Sequence, residues 1–186
     1  MNTTFVQNKI REVFDCRTDI LRGNQIRIYA DKKSVPPVLL YLKNQLGFIH
    51  LNHISCVDWI EDNVFELVYI VYRPEDKITV LVKTKIDREN PVMENIDTIW
   101  DQANTYEREI REMFGVEFPG LEAPAEFILE DWQDLPPMRK DFDTRKYARE
   151  TYETRPGRED ARNVRDYIRQ RTGEKLPDFA KKYSRD

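Results

Sequence analysis

Apolar residues recur along the first 118 positions with two periods. Between residues 4 and 14, Val6, Ile10, Val13 and Phe14 lie at offsets 0, 4, 7 and 8, one face of a helix that Thr3 or Thr4 could cap. QIRIYA (25–30) alternates, with Ile26, Ile28 and Ala30 on one side of a strand. Ser34 followed by Pro36 and Pro37 marks a second helix start. Val38, Leu39, Leu42 and Leu46 form its stripe and Gly47 caps it. Three strands are predicted next. FIHLNHISCVDWI (48–60) is rich in β-branched and aromatic residues and bent midway. VFELVYIVYR (64–73) is apolar on both faces, as a central strand is. KITVLVKTKI (77–86) puts Ile78, Val80, Val82 and Ile86 on one face and Lys77, Lys83 and Lys85 on the other. RPED (73–76) turns between these two, which predicts an antiparallel hairpin. Residues 95–114 read as one helix, with Ile96, Ile99, Trp100, Ala103, Ile110 and Phe114 on its apolar face and Gly115 as its stop.

Beyond Gly115 the pattern fades, and Pro119, Pro124, Pro136 and Pro137 predict an extended path. A weak apolar side at Val164, Tyr167 and Ile168 predicts a short helix over 161–171. The fold expected is α+β: a small mixed sheet with flanking helices over residues 1–118, in the order helix, strand, helix, three strands, helix. A long extended C-terminal arm, residues 119–186, follows. Charge divides the chain near the same region. Residues 139–186 hold 15 Lys/Arg and 10 Asp/Glu, so the first 138 carry a net −9 and the remainder +5. Charged residues make up 34% of the chain, against a usual quarter or so, and mean hydropathy is −0.72, which points to a solvated tail.

Several chemistries are excluded by the residues present. The sequence pI near 5.4 argues against a dedicated nucleic-acid binder. No stretch approaches the roughly 20 apolar residues of a membrane span, and MNTTFVQNKIREVFD lacks the pattern of a signal peptide. A cytoplasmic chain with no direct membrane insertion is therefore expected. Cys16 and Cys56 suggest neither a disulfide framework nor a metal site, and two thiolates cannot hold an iron–sulfur cluster in the usual way. No two glycines are one residue apart, so no dinucleotide fingerprint exists. GVEFPG (115–120) has P-loop spacing but is followed by Leu121 and Glu122 rather than Lys and Ser/Thr. His50 and His53 are the only histidines; on a regular strand, residues three apart face opposite sides, which disfavours a shared metal. Glu107, four residues after Ala103 and three before Ile110, points along the apolar helix face and needs a partner there. A structural hydrogen bond or ion pair outranks a catalytic acid with raised pKa. The basic tail is interleaved with Phe142, Tyr147, Tyr152, Tyr167, Phe179 and Tyr183, which suits a protein partner better than RNA, because ten acidic residues dilute the field.

Residues 100–120, WDQANTYEREIREMFGVEFPG, carry a specific pattern: Glu107, Arg108, Glu109, Met113, Phe114, Gly115, Val116, Phe118 and Gly120. In LEDWQDLPPMRKDF (129–142), Asp131, Trp132, Pro137, Arg139, Lys140, Asp141 and Phe142 form a second block. Together these resemble the 30-kilodalton subunit family of respiratory complex I, over roughly residues 5–142. GLEAPAEFIL (120–129) stands where respiratory members usually have a run containing His, Asp and paired Arg. That departure favours the branch found in membrane-bound nickel–iron hydrogenases and related ferredoxin-linked complexes.

The resemblance implies a subunit without catalytic residues, cofactor or metal of its own, on the cytoplasmic side of the cell membrane. Iron–sulfur clusters and a nickel–iron centre would sit in partner subunits. Its expected partners are a hydrogenase-like large subunit, an iron–sulfur small subunit and the membrane subunits of one complex. Glu107, Arg108, Glu109, Phe114, Gly115, Phe118, Gly120, Trp132, Arg139, Lys140 and Asp141 would be structural or interfacial, and the proline-rich arm would order on its partner. The alternatives are the corresponding 30-kilodalton subunit of an NADH-, ferredoxin- or other donor-dependent quinone or sulfur reductase, a free-standing RNA-binding domain, and a small acid–base enzyme centred on Glu107.

Overall fold

A computed structural model describes residues 1–121, 127–152 and 173. Met1–Phe142 form one compact unit. Helix α1 (Thr3–Val13) leads into β1 (Arg17–Arg22) and β2 (Gln25–Tyr29). Helix α2 (Val35–Asn44) follows, then β3 (His50–Trp59), β4 (Val64–Arg73) and β5 (Ile78–Asp87). Helix α3 (Ala103–Phe114) closes the regular part of this unit. Asp143 opens a second unit, where it caps α4 (Thr144–Thr151) by accepting from the backbone N–H groups of Arg145 and Lys146. The helix expected over 161–171 lies outside the described residues.

The strands form one five-stranded sheet in the order β1-β2-β5-β4-β3. Only β2 and β5 run parallel; the other pairs are antiparallel, so the sheet is mixed and the fold is the α+β one expected. Register places Ile28, Val82, Tyr69 and Ile54 on one rung across four strands, and each is buried. Val6 and Ile10 of α1, Leu39 and Leu42 of α2, and Ala103 and Ile110 of α3 join this rung in a single core. β4 is buried on both faces for most of its length, which explains its unbroken apolar run.

Four local readings are corrected. Asn2, not Thr3 or Thr4, caps α1, its side-chain oxygen accepting from the Phe5 N–H at 2.9 Å. β1 adds a strand ahead of QIRIY; of its six residues only Thr18 is buried, so it carries almost no apolar alternation to detect. Residues 95–102 are successive turns rather than helix. Bonds of the i+3 and i+4 kind join Ile99 and Trp100 to Ile96, and Ala103 to Trp100, which imitates helical spacing in the sequence. Finally, a bulge between Leu51 and His53 restarts the alternation of β3, so His50 and His53 are both exposed. His53 meets the Tyr106 ring edge-on at 5.0 Å.

β3 is an edge strand, and the turn segment covers its start. Trp100 Nε1 donates to the Ile49 carbonyl at 2.9 Å, the Gln102 amide donates to that of Leu51, and the Tyr106 hydroxyl to that of Asn52 at 2.9 Å. Side chains thus satisfy carbonyls that an open edge would leave to another strand. Trp100 is itself buried and lies under the Lys43 ammonium. Trp100→Phe should cost about 1 kcal/mol, the worth of one hydrogen bond, whereas Trp100→Ala should cost about 3–5 kcal/mol. Denaturant unfolding of the two variants checks this.

Candidate subunit interface

α3 owes its place to Gly115 and to the face that carries Glu107. Gly115 ends the helix with φ +78°, in the left-handed region, its N–H bonded to the Arg111 carbonyl. A Cβ there would also come within 3.1 Å of the Pro136 ring, so the glycine admits both the turn and the second motif block. Val116 and Phe118 pass into the core, while Gly120 (φ +89°) is exposed and faces open space.

Glu107 is fully buried. Its Oε1 accepts from the Ile96 N–H at 2.9 Å, a structural hydrogen bond that ties the turn segment to α3. Its Oε2 has no partner among the described residues, and neither has the buried Tyr69 hydroxyl. Burial pushes the Glu107 carboxyl up to about 7; the Ile96 N–H opposes the shift and Asp97 adds to it. Burial likewise raises Tyr69 well above its ordinary value, with Glu107 contributing. Arg108 lays its guanidinium over Phe127 at 4.4 Å. Phe114 packs edge-on to Phe65 at 6.0 Å.

The second block is held to the sheet by buried charge. Arg88 and Asp58 are both buried. Arg88 Nε and Nη2 donate to the two Asp58 oxygens at 2.8 and 3.0 Å. Arg88 Nη2 also reaches Asp141 at 2.8 Å, and Arg139 forks onto Asp141 with two bonds of 3.0 Å. The Lys140 N–H donates to Asp58 at 2.8 Å, and the Met138 N–H to the Met113 carbonyl at 3.0 Å. Both guanidinium groups lie 5.6 Å from the Phe65 ring centre. The Lys140 ammonium extends toward Glu61 at 3.7 Å, over Trp59. Trp132 stacks obliquely on Phe142 and donates to the Leu135 carbonyl.

Arg139 first, then Arg88, holds the Asp141 carboxyl well below the usual range. For Asp58, burial acts upward, but Arg88 and the Lys140 N–H outweigh it and the net shift is downward. Arg88 is raised in turn, chiefly by Asp58.

Asp58, Arg88 and Glu112 are absent from the residues singled out in the sequence. Asp58 shares parity with Ile54 and Cys56 along the regular part of β3, and Arg88 with Ile86 and Thr84 past β5. Opposite charges at inward positions are a legible signal for a buried pair. Glu112 accepts from the backbone N–H groups of Phe127, Ile128 and Leu129 at 2.8 to 3.1 Å. No sequence spacing announces that contact. Residues 127–142, expected to belong to the arm, are therefore tied to the body by the chain's own groups. Among the described residues, no group of three or more His, Cys, Asp or Glu is placed to hold a metal.

Residues 28–148 match the family model for the 30 Kd subunit of the respiratory-chain NADH dehydrogenase. The chain belongs to that family. It is 32% identical over 124 residues to a subunit of the F(420)H(2) dehydrogenase of Methanosarcina mazei, covering 64% of this chain and 76% of that one. It is 32% identical over 133 residues to the mitochondrial NADH-ubiquinone oxidoreductase 30.4 kDa subunit of Neurospora crassa, which covers 70% of this chain but 47% of that protein. A chain in the structure of an archaeal membrane-bound sulfane sulfur reductase superimposes with a TM-score of 0.75 at 28% identity, covering 81% of this chain and 91% of that one. Members of this 30 Kd family thus belong to respiratory complexes of several kinds. Among the described residues, no helix is long and apolar enough to cross a membrane.

Two outcomes test the site. Arg88→Met leaves Asp58 buried without its cation and should cost about 3–5 kcal/mol, with residues 136–142 losing amide protection. Glu107 has a folded pKa of about 7 against an ordinary 4.5. Its contribution is fully present below the lower value and lost as pH rises through the upper. Relative to Glu107→Gln, the natural chain should lose about 3 kcal/mol of stability between pH 4.5 and 8. Denaturant melts across that range measure the difference.

Proposed function

We propose that the chain is a non-catalytic structural and assembly subunit of the cytoplasmic arm of a complex-I-related, membrane-bound oxidoreductase. It packs on a large subunit related to the nickel–iron hydrogenase catalytic subunit. A small subunit nearby holds an iron–sulfur cluster, and the chain meets the membrane only through its partners. The redox centres, a nickel–iron centre among them in a hydrogenase-like complex, belong to those partners.

The observation that carries this reading is the ionic latch of Asp58, Arg88, Asp141 and Arg139. It holds the second motif block against the body while Ile128, Leu135 and Met138 remain exposed. Apolar side chains presented on a backbone already ordered lose less entropy when a partner covers them. The altered run at 120–129 supports the hydrogenase-like branch, with electron transfer coupled to ion translocation. The likeness to a sulfane sulfur reductase supports a sulfur-reducing relative of the same architecture.

Affinity purification of the tagged chain from gently solubilised native membranes tests the proposal. Iron and integral-membrane chains should co-purify. Nickel with them assigns the hydrogenase-like branch, and its absence the quinone- or sulfur-reducing one. Recovery of the chain alone, without metal or membrane partners, would overturn the reading.

A further inference from the structure

A groove of about 270 Å³ runs between α3 and the middle of β3. Its walls are largely apolar: Ile54, Ile110, Met113, Phe114 and Met138. Two features set it apart from a packing defect. The first is the free edge of β3, which ends the sheet order. Side chains of the turn segment and α3 cover carbonyls 49, 51 and 52, and Arg88 and Lys140 engage the Asp58 side chain. Between them, among the described residues, only β4 bonds to the backbone of His53 to Val57. A strand presents outward N–H and C=O groups at alternate residues along such an edge.

The second feature is Glu109, which lines the groove. Around it on α3, Glu107 accepts from Ile96, Glu112 from three backbone N–H groups, and Arg111 meets Glu117 at 3.4 Å, while Arg108 lies over the Phe127 ring with its Nε unbonded among the described residues. Glu109 is half-buried against apolar side chains and has no hydrogen bond or ion pair among the described residues. A carboxylate in that setting calls for a cation from outside. The volume falls below the roughly 300–1,000 Å³ of small-molecule sites, which favours side chains of a peptide over a cofactor.

We propose that this groove receives an extended segment of a partner polypeptide, which adds to the free edge of β3 and sets a basic side chain against Glu109. Main-chain bonds to the edge supply affinity, and the apolar wall with its one carboxylate supplies selectivity. The part of this stretch that lines the groove, His53 to Cys56, accommodates about four residues, or about 13 Å of strand. The proposal rests on the reading of this chain as a subunit.

The test uses the assembled complex. A photo-reactive benzoylphenylalanine replaces Met138, which is exposed at the groove rim, and cross-linked peptides are identified by mass spectrometry. The expected product joins position 138 to an extended segment of another subunit that contains Lys or Arg. Glu109→Lys should lower recovery of the complex about tenfold, with the melting temperature of the purified chain unchanged. Reversing the charge of the cross-linked basic residue should restore recovery. Cross-links confined to this chain, or to a segment without a basic residue, would overturn the proposal, as would full recovery with Glu109→Lys. If the unsubstituted chain brings down no other subunit, the subunit reading itself falls, and the groove proposal with it.

Discussion

Arg88 is the residue on which the arrangement of this molecule turns. Its guanidinium is buried at the end of β5, where it joins Asp58 from β3 to Asp141 from the second motif block. Removing the Asp58 carboxylate and the Arg88 guanidinium from water is costly, and hydrophobic replacements of the same shape could be as stable; Asp141 closes the cluster from the exposed side. Such a cluster therefore says more about geometry than about net stability. It admits only a chain that places a carboxylate at 141, a main-chain N–H at 140 and a second cation at 139. The proline-rich stretch has few ladder bonds of its own, so this electrostatic complementarity fixes its position.

A second constraint acts from the other side. Glu112 gathers three consecutive backbone N–H groups at 127–129, and burial raises its carboxyl while those three bonds, with Arg108 behind them, bring it down below its ordinary value. α3 thus serves both blocks. One face holds Ala103, Glu107 and Ile110 in the core, another receives the returning chain, and a third lines the groove at Glu109. In the YEREIREMFG run, the residue types are those needed when one helix meets core, returning segment and open groove within three turns.

The elements legible in the sequence are those whose pattern reports burial directly. β2, β4 and β5 follow from alternation or from an unbroken apolar run, and α2 from its paired prolines and Gly47. β1 is hidden because five of its six residues are not buried. Turns at Ile96 and Trp100 place apolar residues at helical intervals, so the sequence pattern extends α3 too far toward the N-terminus. The bulge at Leu51/His53 lies within the strand read as bent midway, but that reading does not fix its position, and the bulge leaves both histidines exposed. Of the candidate site, the motif residues from Glu107 to Asp141 emerge from the family resemblance. Their partners Asp58 and Arg88 are readable as inward charges, while the Glu112 contact depends on a tertiary return that no spacing encodes.

The central claim is that residues 136–142 are ordered by the chain's own charges, ready for a partner rather than shaped by it. Hydrogen–deuterium exchange on the purified chain at neutral pH tests this most directly. Protection at the Met138 and Lys140 amides comparable to that of α3 is the predicted result. Exchange of these amides at the rate of an unstructured peptide, with α3 still protected, would contradict it.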